Sequence, residues 1–211
     1  MLFFSYIYSY ESFADQSSRF SKCVLFIPLV ISLIFINGCV KTPIQYNSVI
    51  SKEELNSFIN KGGYRPLNFI YNGNRNFSKI GNQFLLIALP FGAIQINDLE
   101  NEIKTALATE LLEKGFSIAE NDEQLLDAIE ITPLKITVSA YDLLLARKLE
   151  CQTAFEMRLL KTNGEEVNKT KSSVKLSQFR IYGFSKELSQ IFSQCLTTSL
   201  RQGLNDLNLT R

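Results

Sequence analysis

The chain has 211 residues, with 22 basic against 21 acidic side chains, a net charge of +1, and neither histidine nor tryptophan. A near-neutral balance without a charged block excludes the basic footprint of a nucleic-acid binder. The missing histidine excludes Ser-His-Asp and Cys-His catalysis and any His-ligated zinc.

Residues 1–18 are aromatic (Phe3, Phe4, Tyr6, Tyr8, Tyr10) and carry Glu11 and Asp15 but no base, which points to a mis-assigned translation start. Arg19 and Lys22 then precede the apolar run Val24–Ile36, which ends in Asn37-Gly38-Cys39. Three readings compete for this stretch. A transmembrane helix needs roughly 20 apolar residues, and this run has 13 positions, with Pro28 and Ser32 inside it. An ordinary secretory cut needs small residues in an A-x-A-like pattern, where Ile36 is bulky. A lipobox needs an aliphatic residue, a small residue and then Cys. Ile36, Gly38 and Cys39 satisfy it, with Asn37 an unusual middle residue. Residues 1–38 therefore read as a lipoprotein signal peptide and Cys39 as the lipidated residue, carrying palmitate-type chains. Removing the segment takes away two bases and two acids, so the mature chain stays near neutral without a polybasic patch. The lipid is then the expected membrane contact.

Residues 39–50 read as a lipidated tether, with Thr42-Pro43 and no periodic apolar face. Residues 51–82 combine a short helix with an Asn/Gly-rich segment. Ser51 and Glu54 have capping-box spacing, Leu55, Phe58 and Ile59 give the helix one apolar side, and Gly62-Gly63 ends it. Residues 64–82 read as turns and one weak strand, Asn68–Tyr71. Their interleaved aromatics pack against the domain or form a binding surface.

Residues 83–211 form the main α+β domain. Phe84–Leu89 is a continuous apolar run suited to a covered strand, interrupted at Pro90-Phe91-Gly92. Asn97 and Glu100 signal a helix start, with Leu99, Ile103, Ala106, Leu107 and Leu111 at helical spacing and Gly115 past the end. Phe116–Ala119 is a short strand, so a right-handed βαβ unit is expected. Ala128–Tyr141 is a long strand whose apolar phase changes from Ile129 and Ile131 to Leu134, Ile136, Val138 and Ala140, with a bulge expected at Pro133. Leu149, Cys151, Thr153, Phe155, Met157 and Leu159 share one parity. Asn163-Gly164 is a hairpin turn leading to a more polar strand, Val167–Tyr182. Ser185 caps a last helix whose inner face runs through Leu188, Ile191, Phe192, Cys195 and Leu196. The order β-α-β-β-β-β-α gives a two-layer α+β sandwich, a mixed sheet of about four to five strands with helices on one face.

This pattern resembles small periplasm-facing lipoproteins of the YajG type and the ABC-transport auxiliary lipoproteins with a TolB-N-terminal-like fold. The likeness rests on Gly38-Cys39, Phe84–Leu89 with Pro90, the helix end Leu111–Phe116, the turn Asn163-Gly164-Glu165 and the amphipathic last helix. It covers about residues 83–209 and carries no catalytic motif.

Of the four cysteines, Cys23 leaves with the signal and Cys39 takes lipid. Cys151 and Cys195 both fall on inward positions. They form either a strand-to-helix disulfide, which would add about 3–4 kcal/mol, or two buried thiols packing as small apolar groups. Leu143-Leu144-Leu145 lies between two strands. It is either a contact loop for a partner or membrane, or packs as ordinary strand residues, the reading we favour.

No GxGxxG, no GKS/GKT loop, no D-x-D-x-D-G calcium loop and no ligand cluster is present, so no cofactor or metal is expected. The sequence thus points to a non-catalytic, lipid-anchored accessory or scaffold protein of the cell envelope that binds another envelope component. A small-ligand or lipid-binding auxiliary of a transporter is the alternative, and it requires an apolar cavity under the helices. An enzyme is the least supported reading. Val40 stands after the cysteine where an inner-membrane retention signal has Asp, which favours the outer membrane.

Overall fold

The structure, a computed structural model, describes residues 40–47, 63–73, 79–85, 89–119, 126–143, 146–181 and 185–209. The signal segment, Cys39, the helix expected after Ser51, part of the Asn/Gly-rich segment, Leu144 and Leu145 lie outside these residues. The described elements follow in the order β1 (Val40–Pro43), β2 (Arg65–Tyr71), β3 (Lys79–Leu85), β4 (Leu89–Gln95), α1 (Leu99–Glu113), β5 (Phe116–Ile118), β6 (Ala128–Asp142), β7 (Arg147–Leu160), β8 (Glu166–Arg180) and α2 (Ser185–Asp206).

The strands form one mixed sheet that forks at β6. On one side, β6 pairs antiparallel with β7 from Ala128↔Leu160 to Asp142↔Arg147, and β7 pairs antiparallel with β8. The other side of β6 is shared between two parallel partners. β2 lies against Ala128–Ile131, and β3 against Val138–Asp142. β5 extends the first arm, parallel to β2. β4, antiparallel to β3, and then β1 extend the second.

The sheet therefore has eight strands rather than the expected four to five. The apolar run Phe84–Leu89 is not one strand. It divides between β3 and β4, which fold back on each other with Leu85 opposite Leu89 and Phe84 opposite Pro90. The βαβ unit expected across α1 does not form either, because β4 pairs with β3 while β5 pairs with β2.

The bulge expected at Pro133 is present. The β6–β7 register shifts between Pro133 and Lys135, leaving Leu134 as the extra residue. Leu134 is 52% exposed and does not point inward with Ile136, Val138 and Ala140 as its parity suggested. Being unpaired releases it from the alternation on either side of it. Gly81 sits where β3 first meets β6, and a Cβ there would stand 1.6 Å from the Val138 carbonyl oxygen. Only a residue without a side chain permits that approach.

Two helices cover one face. Asp98 caps α1, one residue after the expected Asn97, by accepting from the Asn101 N–H at 3.1 Å. α2 runs back along β8, with Gln194 near its middle bonded to Gln178 and Asn168 bonded to the Leu207 carbonyl just past its end. The helices lie side by side and run the same way. Glu110 on α1 and Lys114 just past its end bond Arg201 and Asn205 on α2. Glu110 is buried, so its carboxylate depends on the two-pronged Arg201 bond at 2.7 and 3.0 Å. Phe155 and Met157 from β7 and Phe192, Leu196 and Leu200 from α2 fill the space between the layers.

Because the Gly81 contact is to backbone, no rotamer change relieves an added methyl. Gly81→Ala is expected to lower the unfolding free energy by about 2 kcal/mol or more, measured by urea denaturation.

Candidate functional site

The residues just after Cys39 do not form a free tether. β1 lies beside β4, and the Ile44 N–H donates to the Gln95 carbonyl at 2.9 Å. Thr42 is hydrogen-bonded to Gln83, which stands opposite Gly92 of β4. These two contacts fix the direction of β1: it runs alongside β4, so Lys41 stands near the Pro90 end of that strand. Residues 44–47 then form a strap over the helices. Ile44 is buried. The Tyr46 N–H donates to Glu102 on α1, and its hydroxyl is bonded to Thr197 on α2. The Gln45 and Asn47 N–H groups donate to Ser189 and Ser193. Lys41–Pro43 shows no alternation because this short strand lies at the edge of the sheet, with only Ile44 after it buried.

The Pro90 end of the sheet carries a feature that parity alone does not reveal. On the face away from the helices, Pro90, Phe84, Tyr141, Lys148 and Phe179 stand opposite one another on five successive strands. The Phe84 and Tyr141 rings stack with centroids 5.1 Å apart and planes 11° apart. The Lys148 ammonium lies 5.9 Å from the centroids of both Tyr141 and Phe179. Lys148 also pairs with Glu150 at 2.7 Å, and that hydrogen bond raises its pKa, keeping it cationic. Phe179 is 66% exposed and Ile181, just beyond it, 88%. A register count outward from Asn163-Gly164 brings Lys148 opposite Phe179, so the hairpin signal could have found half of this row.

Of the three leucines between β6 and β7, Leu143 is half-buried, and its N–H donates to the Ala146 carbonyl at 2.8 Å. The paired strands end at Asp142 and Arg147, which form an ion pair at the base of the turn. The strands thus stop short of the leucines. Leu144 and Leu145 lie outside the described residues.

Cys151 and Cys195 are brought together, as α2 crosses β7 where their inward positions required. Both are buried free thiols. Thr153 donates to the Cys195 carbonyl at 3.2 Å, and the Cys195 thiol approaches the Val174 carbonyl at 3.6 Å. The hydrogen bond to Cys195, together with burial, pushes the Cys151 thiol up, so it stays protonated and unreactive. Unfolding in alkylating reagent without reductant is expected to modify both residues. A mass unchanged at both would instead mean an oxidised pair.

Farther along the open face, Glu156 accepts from Lys169 at 2.8 Å and Arg158 at 2.7 Å, with Lys171 at 3.5 Å. Those hydrogen bonds, Lys169's first and Arg158's second, hold its pKa at about 2. A folded-state value below the ordinary 4.5 means stability contributed above that pH and lost as pH falls toward 2. Glu156→Gln is therefore expected to be less stable than wild type at pH 7, with the difference closing between pH 4.5 and about 2 in urea melts.

An apolar hollow of about 210 Å³ opens beside the bulge, lined by Leu99 and residues 133–137. It lies at the start of α1 and is smaller than the roughly 300–1,000 Å³ of small-molecule sites. Among the described residues no three His, Cys, Asp or Glu side chains are placed to share a metal ion. Nor is any described helix long and apolar enough to cross a membrane.

No family model matches the chain, and no curated protein does. Similar solved structures include a protein of the DUF330 family from Xanthomonas campestris, at 10% identity and a TM-score of 0.47, covering 79% of this chain and 94% of that one. A minor lipoprotein from Acinetobacter baumannii is 10% identical with a TM-score of 0.37, over 68% of this chain and 90% of that one. The rare lipoprotein B from Shewanella oneidensis is 10% identical with a TM-score of 0.35, over 64% and 92%. With TM-scores below 0.5, none of the three assigns a role to a residue of this chain.

Proposed function

We propose that this protein is an envelope lipoprotein acylated at Cys39, acting without catalysis as an accessory or scaffold for another envelope component. The observation that carries the reading is Ile36-Asn37-Gly38-Cys39 at the end of an apolar run too short to span a bilayer. A near-neutral mature chain and the absence of histidine support a binding role over a catalytic one. The domain resides outside the cytoplasm, and Val40 after the cysteine favours the outer membrane. Kinship with YajG-type and ABC-transport auxiliary lipoproteins belongs to the same reading. A transporter-linked ligand-binding role needs a larger apolar cavity than the hollow beside β6 provides.

Labelled palmitate fed to cells is expected to enter the wild-type protein and not Cys39→Ala, and membrane fractionation should move the variant out of the pellet. Crosslinking in the same cells should join the wild type to a discrete envelope protein. An unlabelled wild type would remove the acyl anchor from the reading, and labelling without any specific crosslink would remove the scaffold role.

A further inference from the structure

We propose that the Pro90–Phe179 end of the sheet lies flat against the anionic bilayer surface that holds the acyl chain, so the domain is oriented on the membrane. This rests on the acylation of Cys39. Only Val40 separates Cys39 from Lys41, so the two are two Cα steps apart, a reach of at most about 7 Å. Lys41 is held in the sheet at the Pro90 end of β4 by the contacts of Thr42 and Ile44. With no slack in the connection, the end of the domain that carries Lys41 has to face the lipid.

That end has the surface such a position demands. Its row crosses five strands, about 19 Å at ordinary strand spacing, and mixes aromatic rings with a lysine whose stem lies along them. Aromatic rings favour the headgroup region, and lysine can bury its stem there while its ammonium stays in water. Leu89, Phe179 and Ile181, three of the six large apolar residues exposed among those described, cluster at this end. The charge also fits. Lys148–Glu150 and Arg147–Asp142 are internally paired. Beyond them, among the described residues, stand exposed Lys41, Arg180 and Lys186 and the half-buried Glu187, an excess of positive charge facing a negative surface. The opposite end of β8, by contrast, opens on the polar Asn163-Gly164 turn, where exposed Glu165 and Glu166 are paired with Lys161 and Arg158 and leave no excess of positive charge.

The chain has no tryptophan, so one introduced indole reports alone. Phe179→Trp and Val167→Trp place it at exposed positions near the two ends of β8, about 40 Å apart along the strand. Each full-length variant is extracted from membranes in detergent and reconstituted into phosphatidylglycerol-containing vesicles whose acyl chains are brominated or plain. Residues at the headgroup–acyl boundary meet the bromines, so Phe179→Trp emission should fall by about half or more in brominated vesicles while Val167→Trp emission is unchanged. Equal quenching of both, or of neither, in protein whose mass shows the acyl group overturns the orientation and leaves the anchor standing. Protein whose mass shows no acyl group overturns the anchor, and the orientation with it.

Discussion

The extra residue in β6 is the constraint on which the rest of the sheet depends. β7 keeps a single inward parity from Leu149 to Leu159, and β6 is paired with it along its whole length. The apolar residues of β6 change phase, from Ile129 and Ile131 to Ile136, Val138 and Ala140. In an unbroken ladder one of these groups would be turned to solvent, because a one-residue slip reverses every side chain. Leu134 absorbs the slip, and all five of these residues end up buried. Pro133 suits the place: it has no N–H to give to a ladder that is interrupted there anyway.

The fork follows from the same strand. Pairing with β2 ends at Ile131 and pairing with β3 begins at Val138, so the stretch of β6 around the bulge separates the two arms. Gly81 marks the point where the second arm makes contact, and its lack of a side chain lets β3 press against Val138. The β4 and β1 strands are built outward from β3. The bulge and Gly81 together therefore determine where Lys41 enters the sheet, although both are far from it in sequence.

The sequence was most legible where elements carry their own period or punctuation. The α1 helix, the alternation of β7, the bulge at Pro133, the Asn163-Gly164 turn and the approach of Cys151 to Cys195 are all local patterns or follow from one. The turn is well formed, with Gly164 at φ +80° and the Asn163 side chain accepting from the Glu165 N–H at 3.0 Å. What stayed hidden was pairing between strands distant in the chain. Parallel partners such as β2 and β5 leave no turn residue to announce them, and a continuous apolar run such as Phe84–Leu89 does not say where it folds back. β1 was hidden for a further reason. A four-residue edge strand with polar Lys41 and Thr42 has the composition of a linker, and only its bonds to Gln83, Gln95 and α2 make it part of the fold. The candidate site was legible to a similar degree. Cys39 stands out by motif, whereas the aromatic row exists only once four strand pairings bring its members into line.

The strap changes what an acyl group at Cys39 does to the domain. A flexible tether of ten or so residues would let a folded domain tumble at a distance of tens of ångströms from the bilayer. Residues 44–47 instead bind both helices, through Glu102, Ser189, Ser193 and Thr197. Any pull on the lipidated end is therefore passed to α1, α2 and the sheet together. The division of labour is then one of magnitude. Each buried methylene of an acyl chain contributes about 0.8 kcal/mol, so with Cys39 acylated as proposed the chains would decide whether the protein stays on the membrane. An exposed Phe179, an Ile181 and a small excess of positive charge contribute far less and would not hold a soluble domain at a bilayer unaided. They need not if Cys39 is acylated as proposed, because the lipid then confines the domain to the surface. An orientation preference of two or three kT is then enough to keep one end down, about 1–2 kcal/mol, the scale of a few interfacial basic residues. In the proposed orientation the opposite end of the β7–β8 hairpin, with its polar turn and the Glu156 cluster nearby, faces away from the bilayer.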